Sequence, residues 1–326
     1  MTILGIDVGN SDTKSQNTIF PSGYEGPYSF KPSLSSDCLK FEGKYYTPSD
    51  ERLFYLQDKT MDERCIILTL ISIAKELIMQ FSMSSDAERT SIQKSISGIK
   101  HIALGAGLPV AHYKKKYIEN LLAYYQKYMG TGITFYYNDY CFSFIMDVCR
   151  IYPQGGAAAA CSTNKIAAVY NTYYVIDIGG YTVDVAQFKN DIPSRDRLSL
   201  EMGIIILYDS IIEKIFAECD IHIDYDSIES VLHGQNTILP EKAISIIKEL
   251  TDKHAGNILN YLRQQKIRFD SHPCLFVGGG SVMLKDSIMN NPLIRKDAVQ
   301  FITDTKANAK GYARLVSMEY PEEAPR

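Results

Sequence analysis

The stretch Tyr173-Tyr174-Val175-Ile176-Asp177-Ile178-Gly179-Gly180-Tyr181-Thr182-Val183-Asp184-Val185-Ala186-Gln187 decides how the rest of the chain is read. Tyr173 to Ile176 are β-branched or aromatic and predict a buried strand. That strand ends in Asp177; Gly179 and Gly180 follow, and a second β-rich run of alternating character, Thr182 to Ala186, returns. The pattern is a hairpin with a carboxylate at the end of its approach strand and glycines in its turn. Glycines permit positive φ and let backbone N–H groups close on an anion. A carboxylate beside such a nest makes sense if a divalent cation sits between carboxylate and anion. Taken alone, the same residues also describe an ordinary hairpin with a solvated Asp.

The amino terminus repeats the plan. Ile3-Leu4-Gly5-Ile6 is an apolar run, and Asp7-Val8-Gly9-Asn10-Ser11-Asp12-Thr13-Lys14 follows it. Asp7 corresponds to Asp177 and Gly9 to Gly179, and Thr13 and Thr182 fall near one another in the two copies. Two such hairpins facing each other would clamp a nucleotide's phosphates between two half-molecules.

A late run completes the set: strand-like Cys274 to Val277 leads into Gly278-Gly279-Gly280-Ser281 and a helical pattern. Glycines at a strand-to-helix turn let a flat ring or a phosphate approach the backbone at a helix N-terminus. The ordered motifs, Asp-x-Gly-Asn-x-x-x-Lys, Asp-Ile-Gly-Gly-x-Thr-x-Asp and Gly-Gly-Gly-Ser, resemble the nucleotide-binding signatures of the actin, Hsp70 and sugar kinase superfamily. Within it the chain is most similar to bacterial plasmid-segregation actins of the ParM (StbA) type. Gly107-Leu108-Pro109 with Tyr113, and Ala307-Asn308-Ala309-Lys310-Gly311-Tyr312, fit that branch. The motifs run from residue 7 to residue 312, nearly the whole chain.

The resemblance implies an α/β, actin-like (ribonuclease H-like) duplicated fold: two lobes, each a mixed five-stranded sheet with flanking helices, and a nucleotide cleft between them. The expected first lobe is 1–152 with a small inserted subdomain at about 30–85, completed by a C-terminal helix at 306–326. The expected second lobe is 153–305 with an insertion at about 217–268.

Composition agrees with a nucleotide-driven protein that does not itself grip DNA. At 326 residues, 45% hydrophobic and 22% charged, the chain can bury two cores. A net charge of −4 supplies no global basic field, so direct nucleic-acid binding is disfavoured and a DNA-borne role needs an adaptor. There is no run of about 18 apolar residues and no secretory n-region or cleavage site, which predicts a cytoplasmic protein without membrane contact. Seven cysteines without CxxC spacing read as reduced core thiols, not a zinc site or disulfide framework.

Along the chain, Leu39 to Tyr46 predicts a hairpin turning at Glu42-Gly43, and Arg64 to Phe81 a strongly amphipathic helix. Ser82 to Ser97 reads as a polar connector, Gly98 to Leu108 as a strand, and 113–128 as a helix. Gly132 to Phe142 is β-rich and a helix is expected to lead from it to Arg150. Pro153 suits a first helical turn, with Gln154 at its start and small residues after it. Gly203 opens an apolar helix, 217–240 is irregular, and Pro240 to Ile267 is a long helix.

There is no GxxxxGK[ST] and no dinucleotide GxGxxG, so phosphate chemistry here would use two glycine hairpins and a metal. Asp7 and Asp177 would hold Mg²⁺ mainly through its waters, and Lys14 would place a point charge on the phosphates. N–H groups around Gly9, Asn10 and Ser11, and around Gly179, Gly180, Tyr181 and Thr182, would stabilise the transferring phosphoryl group, with Thr13 in the first hairpin. In the resembled family a Gln or Glu at the place of Gln154 positions the attacking water, which the resemblance assigns here to Gln154 together with Asp177. Glu201, Glu213 and Lys214, around the helix opened by Gly203, are candidates for the sugar or base.

The resemblance implies a protein that hydrolyses ATP or GTP, polymerises head to tail, and links to centromeric plasmid DNA through an adaptor of the ParR type. The alternative is a small-molecule, sugar-type kinase, which needs a general base at an acceptor hydroxyl; no spare carboxylate sits in a sugar-binding motif. A chaperone-type ATPase would carry a substrate domain after the last nucleotide motif, and a division actin an amphipathic membrane-targeting end; neither is visible.

Overall fold

A computed structural model of the chain describes residues 1–33, 37–54, 58–83, 88–161, 165–190 and 192–320. In chain order, the first part comprises β1 (Thr2–Gly5), β2 (Asp7–Val8), β3 (Asp12–Lys14), β4 (Ile19–Pro21), β5 (Tyr24–Tyr28), β6 (Leu39–Phe41) and β7 (Lys44–Pro48). Next come α1 (Arg64–Met83), α2 (Arg89–Gly98), β8 (His101–Leu108), α3 (Lys115–Gln126), β9 (Gly132–Tyr137), β10 (Tyr140–Pro153) and α4 (Gly156–Cys161). The second part runs through α5 (Lys165–Val169), β11 (Thr172–Ile178), β12 (Val183–Lys189), β13 (Ile192–Leu200), α6 (Ile204–Cys219), α7 (Tyr225–Leu232) and α8 (Glu241–Gln264). It ends with β14 (Cys274–Val277), α9 (Gly279–Met283), α10 (Lys285–Met289) and β15 (Val299–Phe301), after which α11 (Ala307–Glu319) closes the chain.

These elements form two compact units, Met1–Ser162 with Lys306–Arg326, and Thr163–Thr305. The sheet of the second unit has the order β13-β12-β11-β14-β15, antiparallel on the β12 side of β11 and parallel on the β14 side. In the first unit a three-stranded sheet β2-β3-β4 adjoins a seven-stranded sheet β1-β8-β10-β9-β6-β7-β5. Only Ile6 separates β1 from β2. Joined through it, β4-β3-β2/β1-β8-β10 repeats the plan of the second unit strand for strand. The expected five-stranded sheet is therefore present in the first unit but broken at Ile6, and it is extended beyond β10 by four further strands.

The core of the first unit forms where α1 packs on this sheet. Thirteen of its residues are buried, including Ile66, Ile67, Leu70, Ile71 and Leu77. Full burial of each such side chain contributes about 1.5–3 kcal/mol. By length and composition α1 could cross a bilayer, but 67% of its apolar window is buried inside the protein. β6 pairs with β9, and Leu39, Phe41 and Tyr46 share one core with α1 and β8, so β5, β6 and β7 extend the main sheet. Likewise Ile228 and Val231 of α7 and Ile247 and Leu259 of α8 share the core of β11 and β12.

Three local expectations are corrected. The segment to Arg150 is strand, not helix: β10 pairs antiparallel with β9 and then parallel with β8. Phe142, Phe144 and Met146 are buried and alternate with exposed Ser143 and Asp147, while a register shift between Met146 and Val148 breaks the period. The polar connector contains α2, which buries only Ile92 and Ile96, one turn apart. The irregular stretch 217–240 contains α7, capped by the Asp224 carboxylate, which accepts from Ser227 N at 2.8 Å.

Candidate functional site

In the first unit, β2 and β3 form the hairpin read from the sequence, pairing Asp7 with Lys14 and Val8 with Thr13. Directly paired residues share a sheet face, so the Asp7 carboxylate and the Lys14 stem stand side by side. Gly9 N donates to the carbonyls of Asp7 and Asp12, both at 3.1 Å, and a Cβ on Gly9 would stand 2.5 Å from Asp12 O. The turn is too tight for any other residue.

Three carbonyls of this turn, those of Val8, Gly9 and Ser11, are engaged from outside it. Lys59 Nζ donates to Val8 O. Ser22 Oγ donates to Gly9 O at 2.7 Å, and Ser22 N to Ser11 O at 2.8 Å. Arg52 Nε also donates to Ser11 O, at 3.1 Å. By contrast, the N–H groups of Asn10 and Ser11 make no hydrogen bond among the described residues. Engaged carbonyls beside two consecutive unused donors have the make-up of an anion nest.

Asp7 is buried, and Gln154 Nε2 donates to its Oδ1 at 2.6 Å. The contact joins residues 147 apart in sequence. Two backbone bonds place it: Gln154 N donates to Leu108 O at 2.9 Å, and Gly155 N to Asn308 Oδ1 of α11 at 2.8 Å. Gln154 lies in the turn between β10 and α4 and not in a first helical turn, because β10 runs on through Pro153. The residues 153–162, expected to open the second lobe, belong to the first unit, where α4 packs on α11.

Besides Arg52 and Lys59, sequence reasoning missed Ser22 and Glu76 in this neighbourhood. Ser22 braces the hairpin from β4's end, and its hydroxyl also contacts Thr13 Oγ1 at 2.9 Å. Thr13 is therefore fully buried and turned to Ser22, a brace and not a ligand contact. Glu76 of α1 is fully buried, and its carboxylate accepts from Ser15 Oγ, from Asn17 N at 2.8 Å, from Asn17 Nδ2 at 2.5 Å and from Gln80 Nε2 at 2.7 Å. It holds the turn that follows Lys14. Nothing in the local sequence distinguishes it from a surface glutamate of an amphipathic helix.

In the second unit, β11 and β12 form the other hairpin, with Gly179 N donating to Thr182 O at 2.8 Å. Asp177 pairs in register with Asp184, so two buried carboxylates share a face, and Thr182 Oγ1 donates to Asp184 Oδ2 at 2.8 Å. Asp184 stands in the quoted motif but was not singled out as a site residue. The turn backs onto α6: Ile204 N and Ile205 N donate to the carbonyls of Gly179 and Gly180 at 3.0 and 2.9 Å. A Cβ on Gly203 would stand 2.2 Å from Gly180 O, so Gly203 is the contact point between helix and turn. The Gly180 N–H makes no hydrogen bond among the described residues.

The glycine run after β14 closes against the same turn. Gly278 has φ +88°, and its missing Cβ would meet Asp177 Oδ1 at 2.4 Å. Gly280 faces Ile178, whereas Gly279 has open space. Ser281 is fully buried and its hydroxyl donates to Val277 O, so it caps the backbone instead of facing a ligand. Glu201 and Glu213 are exposed, and Lys214 is occupied by Glu218 at 4.0 Å and Glu249 at 3.6 Å. Glu213 and Lys214 lie more than two turns along α6 from Gly203, away from the glycine turn. His254 of α8 has its pKa lowered by burial, and its Nε2 donates to Met202 O at 3.0 Å, fixing the approach to α6.

Each hairpin carries a buried carboxylate and at least one N–H that makes no hydrogen bond among the described residues. Among the described residues no group of three or more His, Cys, Asp or Glu could enclose a metal. Mg²⁺ keeps most of its waters and needs few protein ligands, so the buried carboxylates of each hairpin taken by itself, Asp7 in the first unit and the Asp177–Asp184 pair in the second, are compatible with it.

Comparison with known proteins bears on this geometry. Residues 175–290 match the family model of the C-terminal region of archaeal MreB-like actin homologues. No curated protein sequence matches the chain. Among solved structures, the archaeal actin homologue Ta0583 in complex with ADP superposes with TM-score 0.70 at 18% identity, covering 98% of this chain and 100% of that one. The Bacillus thuringiensis ParM with ATP superposes with TM-score 0.65 at 13% identity, covering 98% and 99%. A 15-stranded ParM filament from Clostridium botulinum gives TM-score 0.65 at 16% identity, covering 98% and 100%. The chain thus has the actin-like fold, with its two glycine hairpins at the ends of equivalent strands.

Proposed function

We propose that this protein is a cytoplasmic nucleoside triphosphatase that binds ATP, or GTP, with Mg²⁺ and assembles head to tail into filaments that move plasmid DNA through an adaptor of the ParR type. The observation that carries the reading is the 2.6 Å contact of Gln154 Nε2 with Asp7 beside a hairpin whose N–H groups are unused. ADP and ATP in two structures of the same fold, and the filament formed by a third, support it.

In this reading the N–H groups of Asn10, Ser11 and Gly180 bind phosphate oxygens, and the Lys14 ammonium adds a point charge. Mg²⁺, held through water by Asp7 and Asp177, would neutralise phosphate charge. Gln154 cannot serve as a base, so its part is to orient the attacking water while Asp7 fixes its amide. Gly278 to Gly280, with Glu201 near the start of α6, would line the approach of the nucleoside.

Phosphate release and sedimentation with ATP and Mg²⁺ test the proposal. Asp177→Ala should abolish turnover. Gln154→Ala should slow hydrolysis about a hundredfold, the usual cost of misplacing a reactant, with nucleotide affinity preserved. Unchanged hydrolysis in Asp177→Ala would remove the metal assignment. Protein that stays in the supernatant across salt and crowding conditions would remove the filament.

A further inference from the structure

The first glycine hairpin is held by a strap of chain for which no motif speaks. Between β7 and α1 the residues from Ser49 to Arg64 run beside the turn, with 55–57 outside the described residues. Ser49 N donates to Gly23 O at 3.1 Å and Leu53 N to Ser22 O at 3.0 Å. Arg64 Nη1 donates to Phe54 O at 2.8 Å and closes the strap on itself. Two cations reach from the strap into the turn. Arg52 bridges its tip, Nε to Ser11 O at 3.1 Å and Nη2 to Asp12 Oδ1 at 3.3 Å. Lys59, only 7% exposed, donates to Val8 O, immediately before Gly9.

We propose that Arg52 and Lys59 are positioning residues for nucleotide phosphate: they clamp the Val8–Gly9 and Ser11–Asp12 peptide groups that flank the Asn10 and Ser11 N–H groups, so that the two N–H groups between them stay turned to the ligand. The inference rests on the reading of this hairpin as a phosphate cradle. A short glycine turn has peptide planes that can flip, and each flip exchanges an outward N–H for an outward carbonyl, which repels phosphate. Lys59 on Val8 O and Arg52 on Ser11 O fix the Val8–Gly9 and Ser11–Asp12 peptide planes, and Ser22 Oγ on Gly9 O fixes the plane between them that carries the Asn10 N–H, so the turn is clamped on both sides before ligand arrives and the ordering cost falls outside binding. Both donors are charged, which strengthens the bonds and adds positive potential behind the donors. Burying an ammonium is costly unless its bonds are well made, so Lys59 is poorly explained as mere filling.

Affinities for ATP and for adenosine, with amide hydrogen exchange of residues 8–13 in nucleotide-free protein, test this in wild type, Arg52→Ala, Arg52→Lys and Lys59→Met. Arg52 is half-buried, so its variants should fold even if Lys59→Met does not. Arg52→Ala should weaken ATP on the order of tenfold, the worth of one charge-assisted bond, with adenosine affinity unchanged and exchange at 8–13 faster. Arg52→Lys should recover part of the loss. ATP and adenosine affinities that fall together, or exchange and ATP affinity both unchanged in Arg52→Ala, would overturn the positioning role. If wild type binds no ATP, the functional reading fails and the positioning role with it; if wild type binds ATP and Arg52→Ala changes neither ATP affinity nor exchange at 8–13, the positioning role alone fails.

Discussion

Gly278 and Gly279 are adjacent and chemically identical, yet the fold asks different things of them. At Gly278 a φ of +88° and a Cβ position 2.4 Å from Asp177 Oδ1 leave no room for a side chain, while at Gly279 nothing lies within 4 Å. Gly278→Ala should therefore destabilise the protein by about 1–3 kcal/mol and displace Asp177, whereas Gly279→Ala should change stability by less than about 0.5 kcal/mol. Urea denaturation with phosphate-release assays distinguishes the two. The same scale separates legible from illegible site residues. Asp7, Gly9, Asp177 and Gly179 were legible because a carboxylate followed by a glycine turn at a strand end is a local pattern that occurs twice in the chain. Thr13 and Ser281 belong to the same motifs, but their hydroxyls point to Ser22 and Val277 O, which depends on packing neighbours. Glu76 and Arg52 act across 59 and 41 residues respectively, with no local pattern to announce them.

Among elements, α11 shows how composition becomes geometry. It packs on α4 and on β1 and β8. A Cβ on Gly311 would stand 2.0 Å from Ala157 O, one on Gly5 1.8 Å from Ala309 O, and one on Gly107 2.0 Å from Tyr312 Oη. The two sequence signatures that suggested a plasmid-segregation actin, around Gly107 and around Tyr312, therefore lie in direct contact. Through Asn308 this packing also fixes Gly155, the neighbour of Gln154. Gly311→Val should cost about 1–3 kcal/mol by overpacking and should slow hydrolysis by moving Gln154, with denaturant midpoint and phosphate release as readouts. β10 teaches the opposite lesson. Its alternation was present in the residues, but the register shift near Asp147 made 143–150 resemble a helix, and only pairing with β9 and β8 determined the outcome.

For the whole molecule, the duplication is visible twice, in the paired Asp-x-Gly hairpins and in the matching strand orders of the two units. The units differ in connectivity, since the second is one continuous segment and the first needs α11 from the far end of the chain. Ending the chain at Thr305 would uncover Ile3, Ala103 and the small residues of α4, which α11 now covers. Limited proteolysis of that truncation should show cleavage throughout 1–162 and continued protection of 163–305. Equal loss of protection in both segments would mean that the second unit does not fold by itself.

By itself, the sequence determined the repeated acidic glycine hairpins, the amphipathic α1 and α8 and the third glycine run, because each is specified by residue type and spacing within a few turns of chain. Only the tertiary structure decided that Gln154 meets Asp7, that Ser22, Arg52 and Lys59 hold the first turn, and that β10 is a strand. Those features depend on contacts between residues far apart in the chain, whose formation is set by how sheets and helices pack and leaves no periodic trace in the residues themselves.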